Sequence, residues 1–196
     1  MGSALQIYVE KTGKRPSEIK SASLGLSYSD KEIKKVLSSI DKNEHFLISF
    51  DNDDLCDDKV AELLCDGKVI GYFQGRFEWG PRALGNRSII VDPRIKNMKS
   101  LLNDKIKKRE SFRPFAPSVI EEYAFDWFEK KEKVPFMTHV FQIRKNKRNN
   151  IPAVTHIDGT GRLQTVNRYN NRYYDLIKRF YAKTGIPMIL NTSFNE

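Results

Sequence analysis

Cysteine is almost missing: two in 196 residues, Cys56 and Cys65. That is too few for a disulfide scaffold or a four-ligand zinc site, and at nine residues apart they read as packing on one helix. No stretch approaches the roughly 18 apolar residues that a membrane span needs. The opening Met1-Gly2-Ser3-Ala4 has no charged segment followed by an apolar run, so no secretory signal is visible. Low-complexity tails and internal repeats are absent as well. These absences set the expectation of a reducing, cytoplasmic compartment and no membrane.

What is present is a chain with 39% hydrophobic and 30% charged residues, too apolar for disorder and too polar for a membrane protein. Its length fits one domain, or one domain with a piece of another. Thirty-four Lys and Arg against 25 Asp and Glu give a net charge of +9, which suits nucleic acid, an anionic membrane surface or phosphorylated substrates. The charge is uneven. Residues 51–66 carry seven acids against Lys59, whereas residues 96–115 are net +5 and residues 139–183 net +8.

Residues 1–23 are polar, and Gly13-Lys14-Arg15-Pro16-Ser17 reads as a turn or linker. Ser29-Asp30-Lys31-Glu32 has the form of a capping box, followed by Ile33, Val36, Leu37 and Ile40 at helical spacing. Helices are expected over 57–65, around Met98, Leu101, Leu102 and Ile106, and around Tyr173, Leu176, Ile177, Phe180 and Tyr181 up to Gly185. Strands are expected at 69–73, 88–91, 136–143, 153–157 and 186–190, with a further one at 116–120 demoted to an edge by its prolines. Interleaved strands and helices make the fold class α/β or α+β. The last strand runs into a polar turn at the chain end, which reads as an incomplete domain.

Four segments carry chemistry. Gly75-Arg76-Phe77-Glu78-Trp79-Gly80-Pro81-Arg82-Ala83-Leu84-Gly85-Asn86-Arg87-Ser88 sets three glycines and three arginines between two strands. Glycines let backbone amides approach a ligand, and arginines offer two-pronged contacts to phosphate or carboxylate. It is not a P-loop. In the basic run from Lys105 to Phe115, Arg113 is the better ligand contact, because Phe112 and Phe115 would hold it, while Lys107 can supply a point charge. Thr155-His156-Ile157-Asp158-Gly159-Thr160-Gly161-Arg162 is either an anion-binding nest or a turn around Asp158-Gly159. A metal on His139, His156 and Asp158 has no supporting ligand spacing. Asn191-Thr192-Ser193-Phe194-Asn195 follows a buried strand, where ligands commonly bind.

In this order, the segments resemble the carboxy-terminal domain of the NodU/CmcH-type O-carbamoyltransferases. The likeness also includes Phe112-Arg113-Pro114-Phe115-Ala116-Pro117-Ser118-Val119, and it runs over 24–196. The resemblance implies a YrdC-like twisted mixed sheet around a basic cavity, cut short at its C-terminus. Residues 1–23 would be the tail of, or linker from, a missing actin-like (ASKHA) domain. It implies that carbamoyl phosphate and ATP form carbamoyl-adenylate, with Mg²⁺ accompanying ATP. The ASKHA domain, in cis or as a separate chain, would transfer the carbamoyl group to an acceptor hydroxyl, and the iron-type, histidine-ligated metal would reside there. Carried over by motif, Arg82, Lys107, Arg113 and Arg162 surround carbamoyl phosphate and the ATP phosphates, with Lys107 and Arg113 catalytic. Ser193 and Asn195 contact the nucleotide. Arg76, Arg87, His156 and Asp158 belong to the motifs without an assigned role. The alternative is an RNA- or nucleotide-binding YrdC-like module without carbamoyl transfer, motivated by the basic 139–183 region and by Tyr169, Tyr173 and Tyr174.

Overall fold

A computed structural model describes residues 2–17, 19–40 and 47–194. Its first element is one that the polar N-terminal stretch did not announce. Gly2–Thr12 forms a helix, α1, with no buried residue. Helix α2 (Asp30–Ser38) carries the expected capping box: the Ser29 N–H donates to Glu32 Oε2 at 2.8 Å, and the Glu32 N–H donates to Ser29 Oγ. Its stripe of Ile33, Val36 and Leu37, with Ile40 just beyond, stays exposed.

Helix α3 (Asp53–Cys65) begins four residues earlier than expected. Asn52 caps it by accepting the Leu55 N–H at 2.9 Å, and Asp53 and Asp54 suit the positive end of the helix dipole. It packs against α6 (Asn171–Thr184), which closes as expected on Gly185 at φ 71°. This contact absorbs the acidic stretch. Arg172 pairs with Asp53 at 2.7 Å and Asp57 at 3.3 Å, and Arg179 pairs with Asp54 at 2.5 Å and Asp58 at 2.7 Å. Lys183 adds Glu62 at 3.8 Å. Part of the basic excess in 139–183 is therefore matched within the fold.

The sheet is mixed and six-stranded, in the order β1 (Ile70–Phe73), β2 (Arg87–Val91), β6 (Met188–Ser193), β3 (Ala116–Ile120), β5 (Thr160–Val166), β4 (His139–Gln142). All neighbours are antiparallel except the parallel pair β3 and β5. With its flanking helices, the short α5 (Ala124–Trp127) among them, this is an α+β architecture. The core joins Ile90, Val119, Leu163 and Leu190 of the sheet to Leu64, Tyr173, Ile177 and Phe180 of the helices. Each such side chain contributes roughly 1.5–3 kcal/mol of burial.

Two expectations are corrected. Strand β3 is central, not an edge, and all five of its residues are buried. Pro117 is tolerated because the ladder to β5 begins only at Ser118, one residue later. Residues 153–157 form turns, and the strand lies further on, at β5. The helix around Met98 is a short α-turn, α4 (Met98–Leu101), that widens into a π-turn over Leu102–Ile106, where the Lys107 N–H reaches the Leu102 carbonyl at 2.8 Å. Such widened turns frequently mark functional sites.

Candidate functional site

The glycine- and arginine-rich segment between β1 and β2 is folded by one carboxylate. Glu78 Oε1 accepts the N–H groups of Leu84 and Asn86, each at 2.8 Å, and of Arg87 at 3.2 Å. Charged acceptors make the stronger class of hydrogen bond. The sheet grips the same loop from below. Asn191 of β6 donates to the Ala83 carbonyl at 3.0 Å, and Gln164 of β5 donates to the Leu84 carbonyl at 2.9 Å. Ser118 of β3 donates to Gln164 Oε1 at 2.5 Å and accepts from Asn191 Nδ2 at 3.1 Å. Three adjacent strands thus hold two loop carbonyls through buried amides, which fixes the backbone that carries Arg82.

Arg82 faces a cavity of about 340 Å³ that Arg109, Arg113 and Arg162 also line, together with Ser193 and the start of β3's approach at Phe115. Arg162 comes from β5, two residues before Gln164 and on the same face. It is half-buried, and its Nε is enclosed without a hydrogen-bond partner. Burial, then the like charges of Arg82 and Arg109, hold its guanidinium below the ordinary arginine pKa. Arg109 lies 4.9 Å from the centre of the Phe115 ring and donates from Nε to Asn103 Oδ1 at 2.8 Å. Arg113 is exposed and pairs with Glu110 at 2.9 Å. Guanidiniums gathered this closely repel one another, and an anion with several oxygens relieves that repulsion.

The remaining sequence-derived residues are placed differently. Lys107 is buried behind the wall, where its ammonium donates to the Ser193 carbonyl at 2.6 Å. Of the two aromatics expected to hold Arg113, Phe115 is buried and Phe112 is 67% exposed. Arg76 binds the carbonyls of Gly25 and Leu24 at 2.8 and 3.3 Å. Arg87 binds the carbonyls of Gln74, Asn86 and Gly75 and stacks on Phe73 and Phe77. Both are occupied with holding the loop.

At 156–160 the chain makes a turn. The Gly159 N–H donates to the His156 carbonyl at 2.9 Å, and Asp158 accepts from the N–H and hydroxyl of Thr160 at 3.0 and 2.7 Å. His156 Nδ1 lies 2.9 Å from the Thr160 hydroxyl. Asn195 lies outside the described residues.

Tyr173 and Tyr174 are buried, so of the three tyrosines raised for RNA only Tyr169 is open to stacking. Among the described residues, no three His, Cys, Asp or Glu side chains cluster as metal ligands would, and no helix is long and apolar enough to cross a membrane.

A second cavity of about 570 Å³ adjoins the first and shares Pro81, Arg82, Met137 and Arg162 with it. Its other walls include Trp79, Leu84 and Phe136. Met137 sits between the two at φ 55°, a conformation that costs a non-glycine residue on the order of 1–3 kcal/mol and clusters at functional sites.

Sequence reasoning missed Arg109, Glu78, Gln164, Asn103 and Met137 as parts of this site. For Arg109 a signal existed, since it lies two residues after Lys107 in the same basic run. For Gln164 there was none, because a polar residue inside an unrecognised strand looks like loop, and Asn103 looks like the polar face of the expected helix around Met98.

Comparison with known proteins gives the family. A family described as "Carbamoyltransferase C-terminus" matches residues 61–196, which takes in all four cavity arginines. The chain is 54% identical over 148 residues to Nodulation protein NolNO of Sinorhizobium fredii, covering 72% of this chain and 22% of that protein. It is 51% identical over 141 residues to Nodulation protein NolO of Bradyrhizobium diazoefficiens, covering 70% and 26%. With Nodulation protein U of the same species the identity is 42% over 138 residues, covering 70% and 24%. The chain thus spans about a quarter of the length of these relatives. The match covers the whole six-stranded sheet and the cationic cavity: the chain belongs to the carbamoyltransferase C-terminal family.

Proposed function

We propose that this domain binds carbamoyl phosphate and ATP at the arginine-lined cavity and forms carbamoyl-adenylate. The observation that carries the reading is the meeting of Arg82, Arg109, Arg113 and Arg162 at one cavity, with the Arg162 Nε enclosed and unpartnered. Hydrolysis of carbamoyl phosphate yields carbamate and phosphate. A carbamate oxygen then attacks the α-phosphorus of ATP, a new O–P bond forms, and pyrophosphate leaves with the electrons of the broken bond. Carbamate is already nucleophilic, so the residues act mainly by position and charge. Fixed guanidiniums offset the repulsion between two polyanions and stabilise charge gathering on the leaving oxygens. Arg113 and Arg82 are assigned to the phosphates directly. Lys107 acts from behind the wall, through the Ser193 end of β6.

The apolar second chamber suits the nucleoside, with Trp79 and Phe136 as stacking partners, while Ser193 and Asn195 are assigned to nucleotide contacts. Mg²⁺ would arrive with the triphosphate, since these walls offer cations rather than carboxylate ligands. Transfer to an acceptor hydroxyl is assigned to an ASKHA-type partner domain, which would carry the iron-type metal.

The test is ATP–pyrophosphate exchange by this chain, alone and together with an ASKHA-type domain. Exchange should require carbamoyl phosphate and vanish in Arg113→Ala. Absence of exchange in both settings overturns the proposal.

A further inference from the structure

Asn103 is fully buried on the π-turn, yet its amide touches both loop-borne arginines of the cationic wall. Oδ1 accepts the Arg109 Nε–H at 2.8 Å. Nδ2 donates to the Ser111 carbonyl at 3.1 Å and to the Arg113 carbonyl at 3.0 Å. The Asn103 carbonyl also accepts the Arg109 backbone N–H at 3.0 Å. One side chain therefore fixes the direction of one cavity guanidinium and the backbone of the other.

This matters because the shape of residues 108–114 depends on side-chain contacts such as these, the Arg113–Glu110 pair and the Arg109 contact with Phe115. These residues belong to no helix or strand, Lys108 is held at φ 45°, and Phe112 projects into solvent. An arginine is useful to a phosphate only when its fork is aimed in advance. A misplacement of about an ångström at such a site is costly. A π-turn shifts the side chains that follow it relative to an α-helix, and here it brings Asn103 under the loop.

We infer that Asn103 is the positioning residue of the anion site, acting through Arg109 and Arg113 without touching the ligand. The inference rests on the anion-binding reading above and assigns the part of the wall that organises it.

The experiment is calorimetric titration of inorganic pyrophosphate into the wild-type chain, Asn103→Ala, Arg109→Ala and the double variant, with thermal unfolding of each in parallel. Asn103→Ala should weaken binding at least tenfold. In the Arg109→Ala background the same change should cost clearly less, because two residues that act through one contact are coupled. Full multiplication of the two losses, or unaltered binding by a folded Asn103→Ala, overturns the inference.

A measurement on the wild-type chain does not need Asn103→Ala to fold. The Arg109 Nε–H, assigned by its loss in Arg109→Lys, should give a nitrogen–proton resonance that shifts on addition of pyrophosphate. An unmoved resonance in a chain that binds pyrophosphate overturns the inference alone. Failure of the wild type to bind pyrophosphate at all overturns the anion-site reading, and the inference with it.

Discussion

The ammonium of Lys107 donates to the carbonyl oxygen of Ser193 at 2.6 Å. This contact ties the end of the π-turn to the end of β6, 86 residues apart in sequence. Lys107 is only 5% exposed, so its charge acts in a poorly solvated setting, close to a wall of arginines. Replacing it with the similarly shaped methionine removes the charge and leaves the Ser193 carbonyl without that donor. Lys107→Met should lose about 1–3 kcal/mol of stability in denaturant unfolding, as expected for an unmet hydrogen bond to a charged group. It should also weaken pyrophosphate binding in calorimetry. A variant that loses stability but binds normally would confine Lys107 to a structural role.

The two glycines of the Gly80–Gly85 stretch should respond differently to alanine. Gly85 has φ 111°, and a Cβ there would fall 2.2 Å from the Tyr173 ring, which is itself fully buried. Gly80 has a similar φ of 115° but nothing within 4 Å. Gly80→Ala should therefore cost only backbone strain, about 1–2 kcal/mol. Gly85→Ala adds overpacking and should cost a further 1–3 kcal/mol or so. Thermal unfolding of the two single variants compares them directly, and equal costs would contradict the packing of the loop on α6.

Much of this fold was legible because its hydrophobic pattern is ordinary. Ser88 to Val91 and the α6 stripe bury what their spacing says they should, while β1 forms as expected but buries only Tyr72 and leaves Phe73 exposed. Strand β5 was not legible. Its site-facing positions are Arg162 and Gln164, so the face that would normally announce a strand by its apolar residues is polar. Pro117 misled in the opposite direction, suggesting an edge where the ladder merely starts one residue later. Arg113 could be singled out from its basic run and flanking aromatics, and Arg82 and Arg162 through the resemblance of their motifs. The Gln164 and Asn191 amides that hold the Arg82 loop are set by cross-strand register, and Asn103 by a π-turn, neither of which one sequence displays. The parts of the site hardest to read were those that position others.

Stability should fall as the solution is acidified through the range where His156 would ordinarily titrate. Burial holds its imidazole below the usual value of 6.5. Arg162 and Lys99 push in the same direction, while Asp158 opposes them. With the folded pKa lowered, the unfolded chain binds the proton more readily, so stability rises with pH through this window and is lost as pH drops below about 6.5. His156→Gln keeps a polar side chain beside Thr160 and removes the titration. Denaturant midpoints measured from pH 7.5 to pH 5 should fall less steeply in this variant than in the wild type. Identical slopes would remove His156 as the cause.

Arg162 should be a residue that the fold would be more stable without. Its Nε is buried unpartnered, and its charge is crowded by Arg82 and Arg109. An enclosed donor without an acceptor costs roughly 1–3 kcal/mol, and like charges add to that. In Arg162→Met the long apolar stem is retained while both penalties disappear. The unliganded variant should therefore unfold at a higher temperature than the wild type. Pyrophosphate should reverse the order. In the wild type, ligand at about one hundred times its Kd adds roughly 2.7 kcal/mol, whereas the variant, lacking a cation that the ligand would neutralise, should gain much less. A site retained at the expense of stability is expected where binding rather than folding sets the requirement. If Arg162→Met is destabilised without ligand and still shifts fully with it, the guanidinium is serving the fold, and the anion must be held by the other three arginines.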